Sequence, residues 1–181
     1  MRPAPPEGRA RLRAFDSACV LALNRTLAYR PCLWLARMVS RAGDGVVWGV
    51  LLVGLLLSPL PSGLRCAVHM VGVALTGVAL YLWIKRRTGR PRPCVTIAGL
   101  TLCARPLDEF SFPSGHTLHA VAFAIIAAAY FPTLGLVLGG FAVLTALGRV
   151  VLGLHYPSDV LAGAALGGTL AGLSLLVVLP G

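Results

Sequence analysis

What most limits the shape of this chain is a succession of apolar runs, each ended by a proline-rich or polar break. Residues 45–60, 66–84, 117–131, 134–152 and 159–179 read this way. A bilayer core about 30 Å thick is crossed by about 20 apolar residues of helix. Inside it only helices and closed barrels satisfy their own backbone groups. The expected fold is therefore all-α, a polytopic transmembrane helical bundle of about five spans. Charge supports this: 12% of the residues are charged and 57% are hydrophobic, where a soluble domain carries about 25% charged residues. A length of 181 residues suits one domain. With short turns between spans, the segments after the second and fourth runs emerge on one side of the membrane. The other side receives little more than 60–65 and 131–133.

Ahead of the bundle (45–181) the pattern changes. Residues 1–9 hold Pro3, Pro5, Pro6 and Gly8 and are expected to form a disordered tail. Residues 10–42 interleave apolar groups with Arg11, Arg13, Arg25, Arg30, Arg37 and Arg41. Leu12, Phe15, Cys19, Leu23 and Leu27 recur at helical spacing, which predicts amphipathic interfacial helices with arginines toward the headgroups. Residues 10–181 then make one membrane-embedded domain. Gly43-Asp44-Gly45 reads as a turn. The apolar run from Ala18 to Leu23 is too short for a signal-peptide core of about 7–15 residues. No two of the five cysteines form a C-x-x-C pair; Cys94 and Cys103 flank one loop and could bond in an oxidising compartment. Gly163, Gly167, Gly168 and Gly172 have the four-residue spacing of close helix contacts. His69 stands alone in its run and reads as a core or interface histidine.

The formal net charge of +10 comes from 16 basic and six acidic residues, and every basic residue but Lys85 is arginine. Such an excess suits anionic lipid headgroups or a phosphate-bearing ligand. Nucleic acid is not expected, because no soluble basic domain exists to carry it. Three polar clusters sit at span ends, where charge is costly unless used. Lys85, Arg92 and Arg149, brought to one mouth, would repel each other unless they surrounded an anion, and guanidinium forks match phosphate oxygens. Ser114 can cap the following helix, so that Gly115 and its neighbours offer backbone N–H groups to an anion. Asp159, four residues after His155, can accept the Nδ1 proton and leave Nε2 free to attack phosphorus. His116 can protonate a leaving oxygen. His119, one turn further in, reads as packing. His116, His119, His155 and Asp159 are also metal-ligand types, but the three cations oppose a divalent ion. No metal and no cofactor are expected.

The order Lys85–x6–Arg92–Pro93, then Pro113–Ser114–Gly115–His116, then Arg149–x5–His155–x3–Asp159 resembles the three-part signature of the type-2 phosphatidic acid phosphatase and vanadium haloperoxidase superfamily. The resemblance covers residues 85–159. It implies a helical bundle and metal-independent phosphoryl transfer through a phosphohistidine. It implies His155 as nucleophile, Asp159 as its partner and His116 as general acid. Lys85, Arg92, Ser114, Gly115 and Arg149 would bind the substrate phosphate. Gly148 stands where the family commonly has serine, which removes one hydroxyl donor. The resemblance further implies a multi-pass enzyme of the bacterial cell membrane, acting on a lipid phosphate at the extracytoplasmic face. Undecaprenyl pyrophosphate, phosphatidylglycerophosphate and phosphatidic acid are candidate substrates. Eight of the 16 basic residues precede residue 45 and pull that side toward the cytoplasm. A lipid phosphotransferase and a non-catalytic lipid-phosphate-binding protein are the alternatives.

Overall fold

The computed structural model describes residues 7–100, 104, 106 and 108–178, and these form helices joined by short turns and one longer polar connection. Helix α1 (Glu7–Asn24) begins within the expected tail, so residues 7–9 are helical. Residues 1–6 lie outside the described residues, as does Cys103 and with it the bond that Cys94 and Cys103 could form. A 3-10 turn at Arg25–Ala28 leads into α2 (Arg30–Arg41), which has Pro31 in its first turn. Pro132 and Pro157 open later helices in the same way, where no backbone N–H is missed.

The arm departs from its expectation in one respect: α2 does not stop at Gly43. A π-type turn over Ala42–Val46 carries it into α3 (Val47–Leu56), and within that turn only Gly45, at φ 137°, leaves the helical region. The expected turn is thus a kink in one rod. Arg30–Leu56, at 27 residues, is long and apolar enough to cross a membrane. Residues 30–42 are part of that rod, not a separate surface helix.

Helix α1 turns the start of its apolar stripe outward, as an interfacial helix does. Leu12 and Phe15 are 52% and 63% exposed, whereas Asp16, Val20 and Asn24 are buried against the bundle. The Asn24 amide donates to Val151 O at 2.9 Å. The rule that sends apolar groups inward holds in water. Beside a bilayer the outside is apolar too, and polar groups seek partners within the protein.

Helix α4 (Pro61–Thr88) is the longest, at 28 residues. It ends on Gly89 at φ 53°, whose N–H returns to Lys85 O at 2.9 Å. One helical turn, α5 (Pro93–Thr96), follows. Helices α6 (Gly115–Tyr130), α7 (Pro132–Val151) and α8 (Pro157–Val177) complete the bundle. Four segments are long and apolar enough to span, and α6 is a shorter apolar helix. The architecture is the expected all-α polytopic bundle.

Helix α6 lies at its centre, packed on α7, α8 and α4. Its buried face is rich in alanine: Ala120, Ala122, Ala124 and Ala127. Small partners let backbones meet. A Cβ on Gly163 would lie 2.4 Å from Ser114 O, and one on Gly167 would lie 2.2 Å from Leu118 O. The Gly163/Gly167 spacing therefore does join α8 to α6. The Gly168/Gly172 spacing does not, since a Cβ on Gly172 meets nothing within 4 Å. Trp48 anchors α3 edge-on against Phe123 and Phe141, at centroid distances of 5.1 and 5.5 Å. His69 is a core histidine, with Nδ1 3.2 Å from Tyr130 Oη and Nε2 2.8 Å from Ser174 Oγ.

Candidate active site

The three polar clusters meet at one end of the bundle. Lys85 comes from the last turn of α4, Arg92 from the connection after Gly89, and Ser114, Gly115 and His116 from the start of α6. Arg149 comes from the last turn of α7. His155 occupies the α7–α8 connection, and Asp159 the first turn of α8. Gly153, at φ 68°, reverses the chain after α7. The N–H groups of Leu154 and His155 both return to Arg149 O, at 3.0 and 3.2 Å, so the arginine and the histidine are placed by one turn.

His155 is 1% exposed. Its Nε2 lies 3.1 Å from Arg92 Nη1. A guanidinium has no lone pair to offer, so Nε2 is the acceptor and carries the free electron pair. Burial, followed by the charges of Arg149, Arg92 and Lys85, holds the His155 pKa well below its ordinary value of 6.5, which keeps the ring neutral. Nδ1 then bears the proton. It points toward Asp159 Oδ2, but at 3.7 Å that contact is longer than a hydrogen bond. Asp159 is occupied on both oxygens: Oδ2 accepts from Tyr156 N at 2.8 Å and Oδ1 from Arg90 Nη1 at 2.6 Å.

The cations are already partnered. Lys85 Nζ lies 2.7 Å from each Asp108 carboxylate oxygen and donates to Phe110 O at 3.1 Å. Arg92 donates to Asp108 Oδ1, Asp108 O and Leu154 O at 2.7, 2.9 and 2.8 Å. Burial raises the Asp108 pKa, but Lys85 and Arg92 outweigh it and hold the carboxyl below its ordinary range. Arg149 donates to Ser40 Oγ at 2.9 Å and lies 3.6 Å from Asp44 Oδ1. The same Asp44 oxygen is 2.7 Å from His116 Nε2. The Ser114 N–H donates to Asp159 O at 3.0 Å; its hydroxyl oxygen accepts from Thr117 N, capping α6, and lies 3.0 Å from Thr117 Oγ1, where either hydroxyl can be the donor. Gly115 sits against Tyr81, where a Cβ would come within 3.3 Å of the ring. His119 is turned to backbone, with Nδ1 2.9 Å from Gly115 O and Nε2 3.2 Å from Ala74 O. Among the described residues, no group of three or more His, Cys, Asp or Glu is placed to hold a metal ion.

Four functional neighbours went unread in the sequence: Asp16, Ser40, Asp44 and Asp108. Asp16 accepts from Arg90 Nη2 at 2.7 Å, from Ser158 N at 3.1 Å and from Ser158 Oγ at 2.5 Å. Arg90, in turn, lies over the Tyr156 ring at 4.1 Å. A signal existed. The chain has only six carboxylates, and four of them, Asp16, Asp44, Asp108 and Asp159, form ion pairs here.

A cavity of about 630 Å³ opens beside the cluster. Lys85, Asp108, Gly115 and His116 form its polar end, and Trp48, Leu52, Leu82 and Phe123 line its apolar part. Arg92, Arg149 and His155 are buried and do not line the cavity.

Against known proteins, residues 66–180 match the PAP2 superfamily. The chain is 32% identical over 160 residues to decaprenylphosphoryl-5-phosphoribose phosphatase of Mycobacterium tuberculosis, covering 87% of this chain and 88% of that protein. It is 42% identical over 67 residues to lipid A 1-phosphatase of Rhizobium etli, covering 37% and 29% of the two chains. In fold it resembles the crystal structure of Aquifex aeolicus LpxE (TM-score 0.75, 23% identity, 87% and 92% covered). It also resembles a transmembrane PAP2-type phosphatidylglycerolphosphate phosphatase from Bacillus subtilis (TM-score 0.69, 22% identity, 93% and 86% covered).

Proposed function

The chain belongs to the PAP2 superfamily, and from that premise we propose that it is a membrane lipid phosphatase working through a phosphohistidine on His155. One observation carries the mechanism: a neutral, buried imidazole offers the Nε2 lone pair into a cluster of Lys85, Arg92 and Arg149. In the reaction, Nε2 attacks phosphorus as the ester P–O bond breaks. His116 gives a proton to the departing oxygen. Water then attacks phosphorus, giving a proton to His116; the N–P bond breaks, its electron pair returns to Nε2 of His155, and inorganic phosphate leaves. Lys85, Arg92 and Arg149 stabilise the equatorial oxygens, with Asp108 and Asp44 giving way to the incoming phosphate. Ser114 and Gly115, at the start of α6, bind the phosphate together with these cations.

The apolar wall of the cavity suits a hydrocarbon chain whose headgroup reaches Lys85 and His116. Similarity to the mycobacterial enzyme over most of both chains ranks a polyprenylphosphoryl sugar phosphate first. Phosphatidylglycerophosphate, phosphatidic acid and undecaprenyl pyrophosphate follow. The protein belongs in the bacterial cell membrane, with the site on the extracytoplasmic face. The test is phosphate release in detergent micelles with EDTA, each lipid offered separately to wild type and His155→Ala. Release that persists in EDTA and vanishes in the variant supports the reading. A wild type that releases phosphate from none of them overturns it.

A further inference from the structure

The second histidine has a carboxylate of its own, from a part of the chain outside the family-matched segment. Asp44 Oδ1 lies 2.7 Å from His116 Nε2 and sits in the π-type turn that joins α2 to α3. Such a bulge re-aims one side chain without ending the helix, and bulges of this kind gather at functional sites. Gly45 makes this placement possible, because it takes φ 137°, which side chains rarely adopt. Gly43 packs on Thr145 and His116, where a Cβ would lie at ordinary contact distances of 3.6 and 3.9 Å.

A carboxylate only accepts, so the Nε2 proton belongs to the hydrogen bond with Asp44. Among the described residues no hydrogen bond engages His116 Nδ1. We infer that Asp44 is the positioning residue for His116, fixing the ring through Nε2–H and stabilising the imidazolium so that Nδ1 delivers the leaving-group proton. This rests on the reading of His116 as general acid.

The surroundings explain why such a partner is needed. Arg149 on α7 and Lys85 on α4 face His116, His155 faces it from the α7–α8 connection, and Arg41 on α2 faces Asp44. Asp108 shares the cavity wall. Cations this close to a protonated imidazole call for a counter-charge. Asp44 is the carboxylate that bonds it directly. Protons balance over the cycle. His116 gives the Nδ1 proton to the departing oxygen and becomes the neutral Nε2–H form, still donating to Asp44. The attacking water then returns a proton to Nδ1.

A general acid matters in proportion to how poor the leaving group is. The test therefore compares phosphatidic acid, with an alkoxide leaving group, and p-nitrophenyl phosphate, whose phenolate leaves without help. Asp44→Asn is expected to lower kcat on phosphatidic acid by about 10- to 100-fold and on the aryl ester by less than about threefold. Asp44→Glu, which keeps a carboxylate, should narrow the gap between the two substrates. In a His116→Ala background, adding Asp44→Asn should cost nothing further on either substrate. Equal losses on both substrates, or losses that add to those of His116→Ala, would overturn the assignment. If Asp44→Asn does not fold, Asp44→Ser carries the same comparison. Failure of both to fold would make Asp44 a structural residue and also reject the inference. Where wild type does not hydrolyse phosphatidic acid, the lipid phosphate that it does hydrolyse takes its place in the comparison; a wild type inert on every lipid offered would instead remove the phosphatase reading itself.

Discussion

The bundle from residue 66 onward and the arm of residues 7–56 build the same site in different ways. The bundle supplies the groups that would touch phosphate, and it supplies them locally. His155 and Asp159 are four residues apart, and the backbone of one turn places Arg149 beside His155. The arm supplies partners across long separations: 72 residues from Asp44 to His116, 109 from Ser40 to Arg149 and 142 from Asp16 to Ser158. The motifs fix which chemistry is available. The arm fixes how the groups doing it are held.

Substitutions can break this division or sharpen it. The largest effect is expected from the bundle: His155→Ala should lower phosphate release by about 10⁶-fold, as loss of a nucleophile does elsewhere, measured by single-turnover phosphate release. Asp159→Asn should cost between about 10² and 10⁴ in kcat, with KM little changed. From the arm, Asp16→Ala leaves Arg90 and Ser158 short of a buried acceptor and should lower stability by about 2–4 kcal/mol. Thermal unfolding in detergent measures this, with exposed Arg37→Ala as a control expected to stay within about 0.5 kcal/mol. If Asp16→Ala matched the control, the arm would be dispensable to the site.

Acid should act through the bundle. The folded-state pKa of His155 is depressed well below 6.5, so below pH 6.5 the unfolded chain binds a proton that the folded chain refuses. Stability therefore falls as pH drops from about 6.5, by at most about 1.4 kcal/mol per pH unit for this one group. The depressed Asp108 adds its own loss only below its ordinary value of 3.8. His155→Asn should flatten the upper part of that profile. The smallest effect is expected from Ser40→Ala, which removes one neutral acceptor from Arg149 and should weaken phosphate binding by about 1 kcal/mol, read as a rise in KM.

The same division explains what could be read from residue order. Spans were legible because hydrocarbon thickness imposes length, and the motif residues because their spacing is short and local. The α2–α3 rod was hidden because Gly43-Asp44-Gly45 has turn composition, yet the helix continues with Gly45 alone leaving helical geometry. Helix α1 was legible as an interfacial helix, and Leu12 and Phe15 do face outward. The face it buries was carried by Asp16, Val20 and Asn24 at four-residue spacing. A carboxylate in a membrane protein with only six of them rarely lacks a partner. Asp108 sits in the polar connection, where nothing in its neighbours' identities marks it as the counter-ion of Lys85 and Arg92.

That carboxylate has a consequence for turnover. Asp108 spans Lys85 and Arg92 with contacts of 2.7 Å. If these cations hold the phosphoryl group, the site contains its own tethered competitor, present at the high effective concentration of a short linkage. Every anion that enters must displace it, and every anion that leaves is replaced by it. Inorganic phosphate, which lacks the lipid chain's hold on the apolar wall, bears that competition alone. Product inhibition should therefore be weak even where substrate binds well, and phosphate mimics without a hydrocarbon tail should make poor inhibitors.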